Sequence, residues 1–293
     1  LSDKSFILDA IKMLKNCDRV YAVVAPAIVS QFTYAKPGQV ITAIKALGFC
    51  DVLEAALGAD MVAYNEAAEL AERGFLTSSC CPAFVSYIRK SFPELQENIS
   101  HNMSPMATIA KRIKEKDPEA KTVFIGPCTA KKGEFQLPEV HKYVDCVLTF
   151  EELQAMFDSR ELDVGAMEET VLNNASGYGR IFAHCGGLAE AAAEALKEQG
   201  IDFELKPLSC NGIEECKLAL MKAARGKLDA NFVEGMACVG GCVNGAGCMT
   251  HNERNRVKVD AHSQQAQLKS ITDSLLYAAE IDRELKEKAG DKA

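Results

Sequence analysis

The sequence predicts an α/β protein of two lobes, each a mainly parallel sheet flanked by helices. Three observations predict this fold. Apolar runs of strand length alternate with longer patterns of helical spacing along the chain. The length of 293 residues exceeds a typical single core, which favours one large domain of two lobes. Finally, cysteine segments directly follow strand-like runs, at the strand ends where open α/β sheets build their sites.

Apolar periodicity and turn residues predict the strands and helices in chain order. Predicted strands are Val20–Val24, Phe75–Ser79, Lys121–Ile125, Asp145–Thr149 and Phe203–Leu208, and Phe232 and Val233 lead into the last cysteine segment. Predicted helices are Gly38–Leu47, Met61–Arg73, one that starts at Pro82, and Met106–Lys116.

A Lys-rich stretch that contains proline, Lys114–Lys121, predicts the boundary between the lobes. Residues 1–115 then form the first lobe, residues 116–263 the second lobe, and residues 264–293 a C-terminal helical tail. The tail is amphipathic. Its apolar face is predicted to carry Leu268, Ile271, Leu275 and Leu276.

Composition excludes several classes of protein. The formal net charge of −8 disfavours nucleic acid and anionic membranes as partners. The longest apolar run, Val20–Val29, contains Pro26 and is too short to insert into a membrane. The N-terminus shows no signal peptide and no initiator Met, which indicates a processed chain or a fragment of a longer one. We therefore expect a cytoplasmic protein.

The 12 cysteines are too few for a disulfide scaffold of this length, so we expect reduced thiols. Most of the thiols outside the three cysteine segments are predicted to be buried or incidental. These six are Cys17, Cys50, Cys146, Cys185, Cys210 and Cys216.

Three cysteine segments carry the chemistry: Ser78-Ser79-Cys80-Cys81-Pro82, Gly126-Pro127-Cys128-Thr129-Ala130-Lys131-Lys132, and Glu234-Gly235-Met236-Ala237-Cys238-Val239-Gly240-Gly241-Cys242. Each cysteine lies beside small residues, glycine or proline. These residues allow the backbone to approach a bulky group closely. Four thiolates from three segments suit a [4Fe–4S] cluster buried in the cleft between the lobes. A structural zinc site is disfavoured because its ligands usually come in close pairs, and the five histidines have no ligand spacing.

In order and spacing, these segments resemble the signature motifs of the catalytic domain of [FeFe]-hydrogenases, and the similarity extends through nearly the whole chain. The resemblance implies a [4Fe–4S] cluster that shares one cysteine with a diiron subcluster bearing CO, cyanide and azadithiolate, together called the H-cluster. It implies that Cys81, Cys128 and Cys238 are terminal ligands of the cubane and that Cys242 is the bridging ligand.

The resemblance also implies a set of residues around the diiron subcluster. Lys131 would donate to one cyanide, the Ala25-Pro26-Ala27 backbone would face the other, and Met236 would pack near the bridging CO. The alternatives are a solvated lysine at a helix start and a core methionine. The full predicted set is Lys131, Met236, Ala25, Pro26, Ala27, Ser104, Met106, Gly126 and Pro127.

Cys80 is predicted to act separately from its neighbour Cys81, as a thiol that passes protons to and from the diiron bridge. The resemblance extends this relay through Glu66, Glu69, Ser100 and Arg73. Without the resemblance, the helical spacing of the two glutamates and the arginine is more typical of a surface salt-bridge face than of a relay.

The chain departs from well-studied catalytic members of the family, which indicates an atypical branch with an altered environment around the subcluster. Gly126 stands where they have Met, Met106 where they have Gln or a similar polar residue, and Ala27 where Ser is frequent. In those members the third cysteine segment continues with glycines, Gln and Pro. Residues 245–249 of this chain differ from that pattern, and Cys248 among them has no assigned role. Such changes tune potential and reactivity without removing a ligand.

The function implied by the resemblance is an enzyme, an iron-only hydrogenase of anaerobic hydrogen metabolism that reversibly reduces protons to H2. A ferredoxin or a cluster-bearing accessory domain would supply electrons, and maturation enzymes would install the diiron unit. Two alternatives stay open. One is an H2-sensing regulatory hydrogenase with slow turnover, and the other is a non-catalytic relative used in iron–sulfur assembly.

Overall fold

A computed structural model of the protein describes residues 4–279 and shows an α/β fold with two parallel sheets flanked by helices. The predicted fold class is confirmed. No helix in this part of the chain is both long and apolar enough to cross a bilayer.

The described part of the chain has seven strands: β1 (Val20–Val24), β2 (Asp51–Glu54), β3 (Leu76–Thr77), β4 (Lys121–Gly126), β5 (Cys146–Thr149), β6 (Pro207–Asn211) and β7 (Phe232–Met236). The helices are α1 (Ile7–Asn16), α2 (Pro37–Ala46), α3 (Ala55–Arg73), α4 (Pro82–Ser91), α5 (Pro105–Lys116), α6 (Lys131–Glu134), α7 (Pro138–His141), α8 (Phe150–Ser159), α9 (Gly177–Ile181), α10 (Gly187–Glu198), α11 (Ile213–Ala223) and α12 (Arg254–Gln264). Short 3₁₀ turns cover Pro26–Ser30, Pro93–Asn98, Val164–Ala166 and Cys242–Asn244.

One sheet has four strands in the order β2-β1-β4-β5, and the other has three in the order β3-β7-β6. All pairings within these sheets are parallel. Strands β5 and β7 are buried along their whole length, as is typical of parallel sheets covered by helices on both faces.

Two predicted elements differ from the structure. The strand expected at Phe203–Leu208 lies at Pro207–Asn211 instead, because proline lacks an N–H to donate and is tolerated at the first position of a strand. The helix expected from Met61 begins at Ala55, and its small residues pack against α5. Strand β2 and helix α1 had no predicted counterpart.

The division of the chain at residues 115 and 116 does not separate the two sheets. Strand β4, which follows this division, pairs with β1 and lies in one sheet with β2 and β5, whereas β3, which precedes it, pairs with β7. Each sheet contains strands from both sides of the division. Parallel strands need crossover connections, so neighbours in a sheet need not be neighbours in sequence.

The predicted tail helix is only partly described. Residues 271–279 are helical, whereas residues 280–293 lie outside the described part. Leu268 precedes this helix and forms an isolated bridge with Ser176, and Leu276 is exposed. The predicted single apolar face is therefore wrong at these two positions, while Ile271 is fully buried.

A buried ion pair links α9 to the four-stranded sheet. Arg180 Nε and Nη2 donate to the two carboxylate oxygens of Glu54 at 2.7 and 2.8 Å. The guanidinium also donates to the carbonyls of His262 and Leu172. His262, whose Nε2 lies 3.8 Å from Glu54 Oε2, and the Arg180 guanidinium together outweigh burial and lower the pKa of Glu54, so this carboxyl is ionised. Removing one partner would leave the other charge uncompensated.

We expect Arg180→Met to lower the free energy of unfolding by about 3–5 kcal/mol, because it leaves the Glu54 carboxylate buried without its partner. Adding Glu54→Gln should recover part of this loss. The matched control is Lys36→Met, which breaks an exposed pair with Glu169 and should cost about 1 kcal/mol or less. Urea unfolding of the four proteins measures these values, and equal costs for Arg180→Met and Lys36→Met would contradict the assignment.

Candidate metal centre

The four candidate cluster ligands follow the carboxyl ends of three parallel strands. Cys81 follows β3 and caps α4, Cys128 follows β4, and Cys238 and Cys242 follow β7. Strands β3 and β7 are neighbours in one sheet, and β4 belongs to the other. The site therefore lies where the carboxyl ends of the two sheets meet.

The thiols of these four cysteines are close enough to affect one another electrostatically. Burial, followed by the thiols of Cys81 and Cys238, raises the pKa of Cys128 to about 11 although Lys131 opposes the shift. Burial and then Cys128, Cys81 and Cys238 raise the pKa of Cys242 well above its ordinary value. The structure thus brings the four predicted ligands together.

The loop that carries Cys242 is held by close backbone contacts. The amide of Val243 donates to the Ala183 carbonyl at 2.9 Å, and that of Cys185 donates to the Gly240 carbonyl at 3.3 Å. Gly241 has φ = 90°, and a Cβ there would lie 2.6 Å from the Cys185 nitrogen. Only glycine satisfies both the left-handed conformation and this close approach.

Side chains hold the loop that follows. The side-chain oxygen Oε1 of Gln31 accepts from the backbone amides of Met249 and Thr250 at 2.9 and 3.1 Å. Asn255 donates to the carbonyls of Val243 and Thr250. The thiol of Cys248 is buried and donates to Val243, so its role in the structure is packing within this loop.

Beside the cysteines lies an apolar cavity of about 60 Å³. Seven of the nine residues predicted around a diiron subcluster line it: Ala25, Pro26, Ala27, Met106, Pro127, Lys131 and Met236. Other lining residues include Phe124, Phe182, Cys80, Cys128 and Cys242. The remaining two predicted residues do not line it. Ser104 caps α5 by accepting from the Ala107 amide, and the ring of Phe124 covers Gly126.

Lys131 is buried at the edge of this cavity. Its Nζ lies 3.0 Å from Glu134 Oε2 and 5.6 Å from the centroid of the Phe124 ring. Burial alone would lower the pKa of Lys131, but Glu134 and Cys128 outweigh it and raise the pKa. The side chain is therefore a buried cation and not the solvated lysine of the alternative interpretation.

Cys80 and Glu66 form the buried end of the predicted relay. Burial, then Cys81 and Glu66, raise the pKa of the Cys80 thiol well above its ordinary value. Burial raises the pKa of Glu66 to about 8, helped by the carboxylates of Glu69 and Glu234. Within residues 4–279, neither carboxyl oxygen of Glu66 has a hydrogen-bond partner.

Glu69 connects the residues at the outer end of the predicted relay. Its Oε2 accepts from Ser100 Oγ at 3.0 Å, and its Oε1 accepts from Arg73 Nη1 at 2.7 Å. Arg73 also donates to the Glu97 carbonyl, and about a quarter of its side chain is exposed. The structure therefore brings together Glu69, Ser100 and Arg73, with Glu66 one helical turn further inside.

Sequence analysis missed several side chains around the site. Asn102 Nδ2 and the His101 amide also donate to Glu69. Glu134, the partner of Lys131, was detectable because residues three apart in a helix are neighbours. Glu234 is fully buried and accepts from the amides of Gly186 and Ala189, which lie too far away in sequence to be predicted.

The remaining six cysteines have varied exposure. Cys146, Cys210 and Cys216 are buried, Cys17 and Cys185 are partly buried, and Cys50 is exposed. Among the described residues, no three Cys, His, Asp or Glu side chains are close enough to hold a single metal ion. A cubane instead spreads its four thiolates around a bulky core. Four soft sulfur donors beside an apolar cavity with one buried ammonium fit such a cluster joined to a small, poorly solvated group.

Comparison with known proteins gives the same family as the resemblance of the cysteine segments. Residues 18–246 match the model of the iron only hydrogenase large subunit, C-terminal domain. Iron hydrogenase 1 of Clostridium pasteurianum is 29% identical over an alignment that covers 94% of this chain and 57% of that protein. The periplasmic [Fe] hydrogenase large subunit of Nitratidesulfovibrio vulgaris is also 29% identical, over 72% of this chain and 62% of that protein. The chain thus spans about three fifths of the length of these relatives.

A cytosolic Fe-S cluster assembly factor, NAR1 of Kluyveromyces lactis, is 38% identical over 90 residues, which is 31% of this chain and 19% of that protein. Among solved structures, [FeFe]-hydrogenase HydA1 from Chlamydomonas reinhardtii superposes with a TM-score of 0.75 at 21% identity, and 92% of each chain is covered. A second [FeFe]-hydrogenase, studied for oxygen inactivation of its H cluster, gives a TM-score of 0.77 at 20% identity over 96% of this chain and 95% of the other.

These structural matches establish the shared fold, and the family model covers most of the chain, including the segments that carry all four candidate ligands. The chain therefore belongs to the iron-only hydrogenase large-subunit family, of which it contains the C-terminal domain.

Proposed function

We propose that this chain is the catalytic domain of an [FeFe]-hydrogenase that reversibly reduces protons to H2. The observation that carries the proposal is the coincidence of three features at one place: four gathered thiols, an apolar cavity, and a line of proton carriers ending at the cavity. Structural cysteine sites have no need of the cavity or of the carriers.

Cys81, Cys128, Cys238 and Cys242 would hold a [4Fe–4S] cluster, and Cys242 would also ligate the diiron subcluster with its CO, cyanide and azadithiolate ligands. When bound, this group supplies the redox chemistry of H2. The chain's own residues hold it and keep water away, since the lining of the cavity is almost entirely apolar. Lys131 provides a charged donor for an anionic ligand.

The chain would move protons between the cavity and solvent. The Cys80 thiol lines the cavity, and Glu66 lies behind it with a pKa of about 8, so that its carboxyl is largely protonated at neutral pH. A carrier whose pKa lies near the working pH can both accept and release a proton. Ser100 Oγ and the Glu69 carboxylate continue the route to Arg73 at the surface.

Electrons would come from a ferredoxin-type partner or a cluster-bearing accessory domain, and maturation enzymes would install the diiron subcluster. We propose a cytoplasmic location, in keeping with the oxygen-sensitive chemistry of such a group.

The second candidate is a non-catalytic relative in iron–sulfur assembly. The local similarity to the NAR1 assembly factor, at 38% identity over 90 residues, favours it. The cavity, the buried Lys131 and the Cys80 relay favour the enzyme, because a scaffold for the cubane alone needs none of them. A slow H2-sensing hydrogenase would share these features and differ in turnover.

Infrared spectroscopy of anaerobically purified, maturase-treated protein tests the function. We expect sharp CO and cyanide bands that shift under H2, because these ligands report charge on the iron. Turnover of H2 then separates enzyme from sensor. If a verified control matures while this protein shows the cubane but no such bands, the assembly-type function replaces the hydrogenase.

We expect replacement of any of the four ligands by alanine to lower iron retention after reconstitution by at least about tenfold, since even residues beyond the ligands commonly cost 10–100-fold. Cys50→Ala is the control because that thiol is exposed. Iron and sulfide analysis with electron paramagnetic resonance measures the effect. Retention of a full cubane in Cys128→Ala would show that this residue is not a ligand.

We expect Glu69→Gln to lower H2 evolution by about 10²–10⁴-fold, because it removes the carboxylate that joins Ser100 to Arg73. The CO and cyanide bands should stay unchanged, since Glu69 does not line the cavity. Glu72→Gln, at an exposed position of the same helix, should keep full activity. A route that bypasses Glu69 would be indicated by equal activity in the two variants.

A further inference from the structure

One wall of the cavity is formed by a residue that none of the cysteine segments contains. Phe124 and Gly126 are two apart on β4, so their side-chain directions share one face of the strand. A Cβ at Gly126 would lie 2.7 Å from Cζ of Phe124 and 3.1 Å from Cβ of Ala25. The Phe124 ring therefore occupies the space that a side chain at position 126 would need, and it lines the cavity while Gly126 does not.

The same ring contacts the buried ammonium of Lys131. The Nζ atom lies 5.6 Å from the ring centroid, within the range of attraction between a cation and an aromatic face. Glu134 holds Nζ from another direction at 3.0 Å. A lysine has a long flexible stem, so a single contact would leave its ammonium free to swing. Two contacts, from β4 and from α6, fix it at the cavity.

We propose that Phe124 is a positioning residue of the pocket, whose ring replaces a side chain at position 126 as cavity wall and holds the Lys131 ammonium toward the bound group. This inference rests on the proposed function, because Lys131 is the charged donor to an anionic ligand there. Phe124 itself donates no hydrogen bond, and it acts through Lys131.

The first test is infrared spectroscopy of matured Phe124→Leu, which keeps an apolar side chain but removes the aromatic face. We expect its cyanide bands to shift from those of the unmodified protein. The control is Phe157→Leu, a fully buried phenylalanine on α8 that does not line the cavity, and its bands should not move. Phe124→Met provides a second variant if Phe124→Leu folds poorly, as checked by circular dichroism.

The outcomes separate this inference from the proposed function. Bands in the unmodified protein that stay unchanged in the Phe124 variants would overturn the positioning role alone. Absence of bands in the unmodified protein would count against the proposed function, and the role of Phe124 toward Lys131 would fall with it.

A second test needs no cofactor and uses thermal unfolding of the purified chain. Gly126→Ala should lower the unfolding temperature strongly, and its cost should fall when Phe124→Ala removes the ring. Gly133→Ala is the control, because a Cβ there meets nothing within 4 Å and its cost should be the same in both backgrounds. Equal costs of Gly126→Ala with and without the ring would show that Phe124 does not fill this space.

Discussion

The parallel register of the two sheets is the constraint on which the metal centre depends. Strands β3 and β7 pair side by side, so the segments that follow them deliver Cys81 and Cys238 to one place. Strand β4 delivers Cys128 from the other sheet, and its neighbour β1 delivers the Ala25–Ala27 wall of the cavity. Because every strand runs in the same direction within its sheet, the site-bearing ends meet at one edge. A shift in the register of β3, β4 or β7 would displace a candidate ligand, and a shift of β1 would displace the cavity wall.

Burial raises the pKa of several titratable groups at the candidate site. The pKa of each of Cys80, Cys128, Cys238 and Cys242 is raised, with burial as the largest cause. Assembly of the proposed cluster would therefore displace protons from these thiols, and iron loading is expected to be coupled to pH. The same low dielectric that opposes thiolates also keeps the Glu66 carboxyl protonated, which suits it to carry protons.

The sequence was informative where chemistry is local and uninformative where distant segments meet. Strands β1, β4 and β5, the cysteine segments and the Glu69–Arg73 spacing follow from patterns within a few residues. The bond between Arg180 and Glu54 joins residues 126 apart, and the pairing of β3 with β7 crosses the predicted lobe boundary. Neither leaves a periodic signal. The covering of Gly126 was missed for a different reason: strand alternation places positions 124 and 126 on one face, but only packing shows that the Phe124 ring lies over Gly126.

Two of the departures from well-studied family members make the cavity wall more apolar. Met106 and Ala27 line it where polar residues are frequent in the family, and the Phe124 ring takes the place beside Gly126. Among the described lining residues, the charged donor left to an anionic ligand is Lys131. Because no other charged side chain of the described residues lines the cavity, the Lys131 ammonium must be placed accurately to donate to an anionic ligand. The ring and the Glu134 carboxylate, which hold Lys131 from two elements, supply that accuracy in this chain.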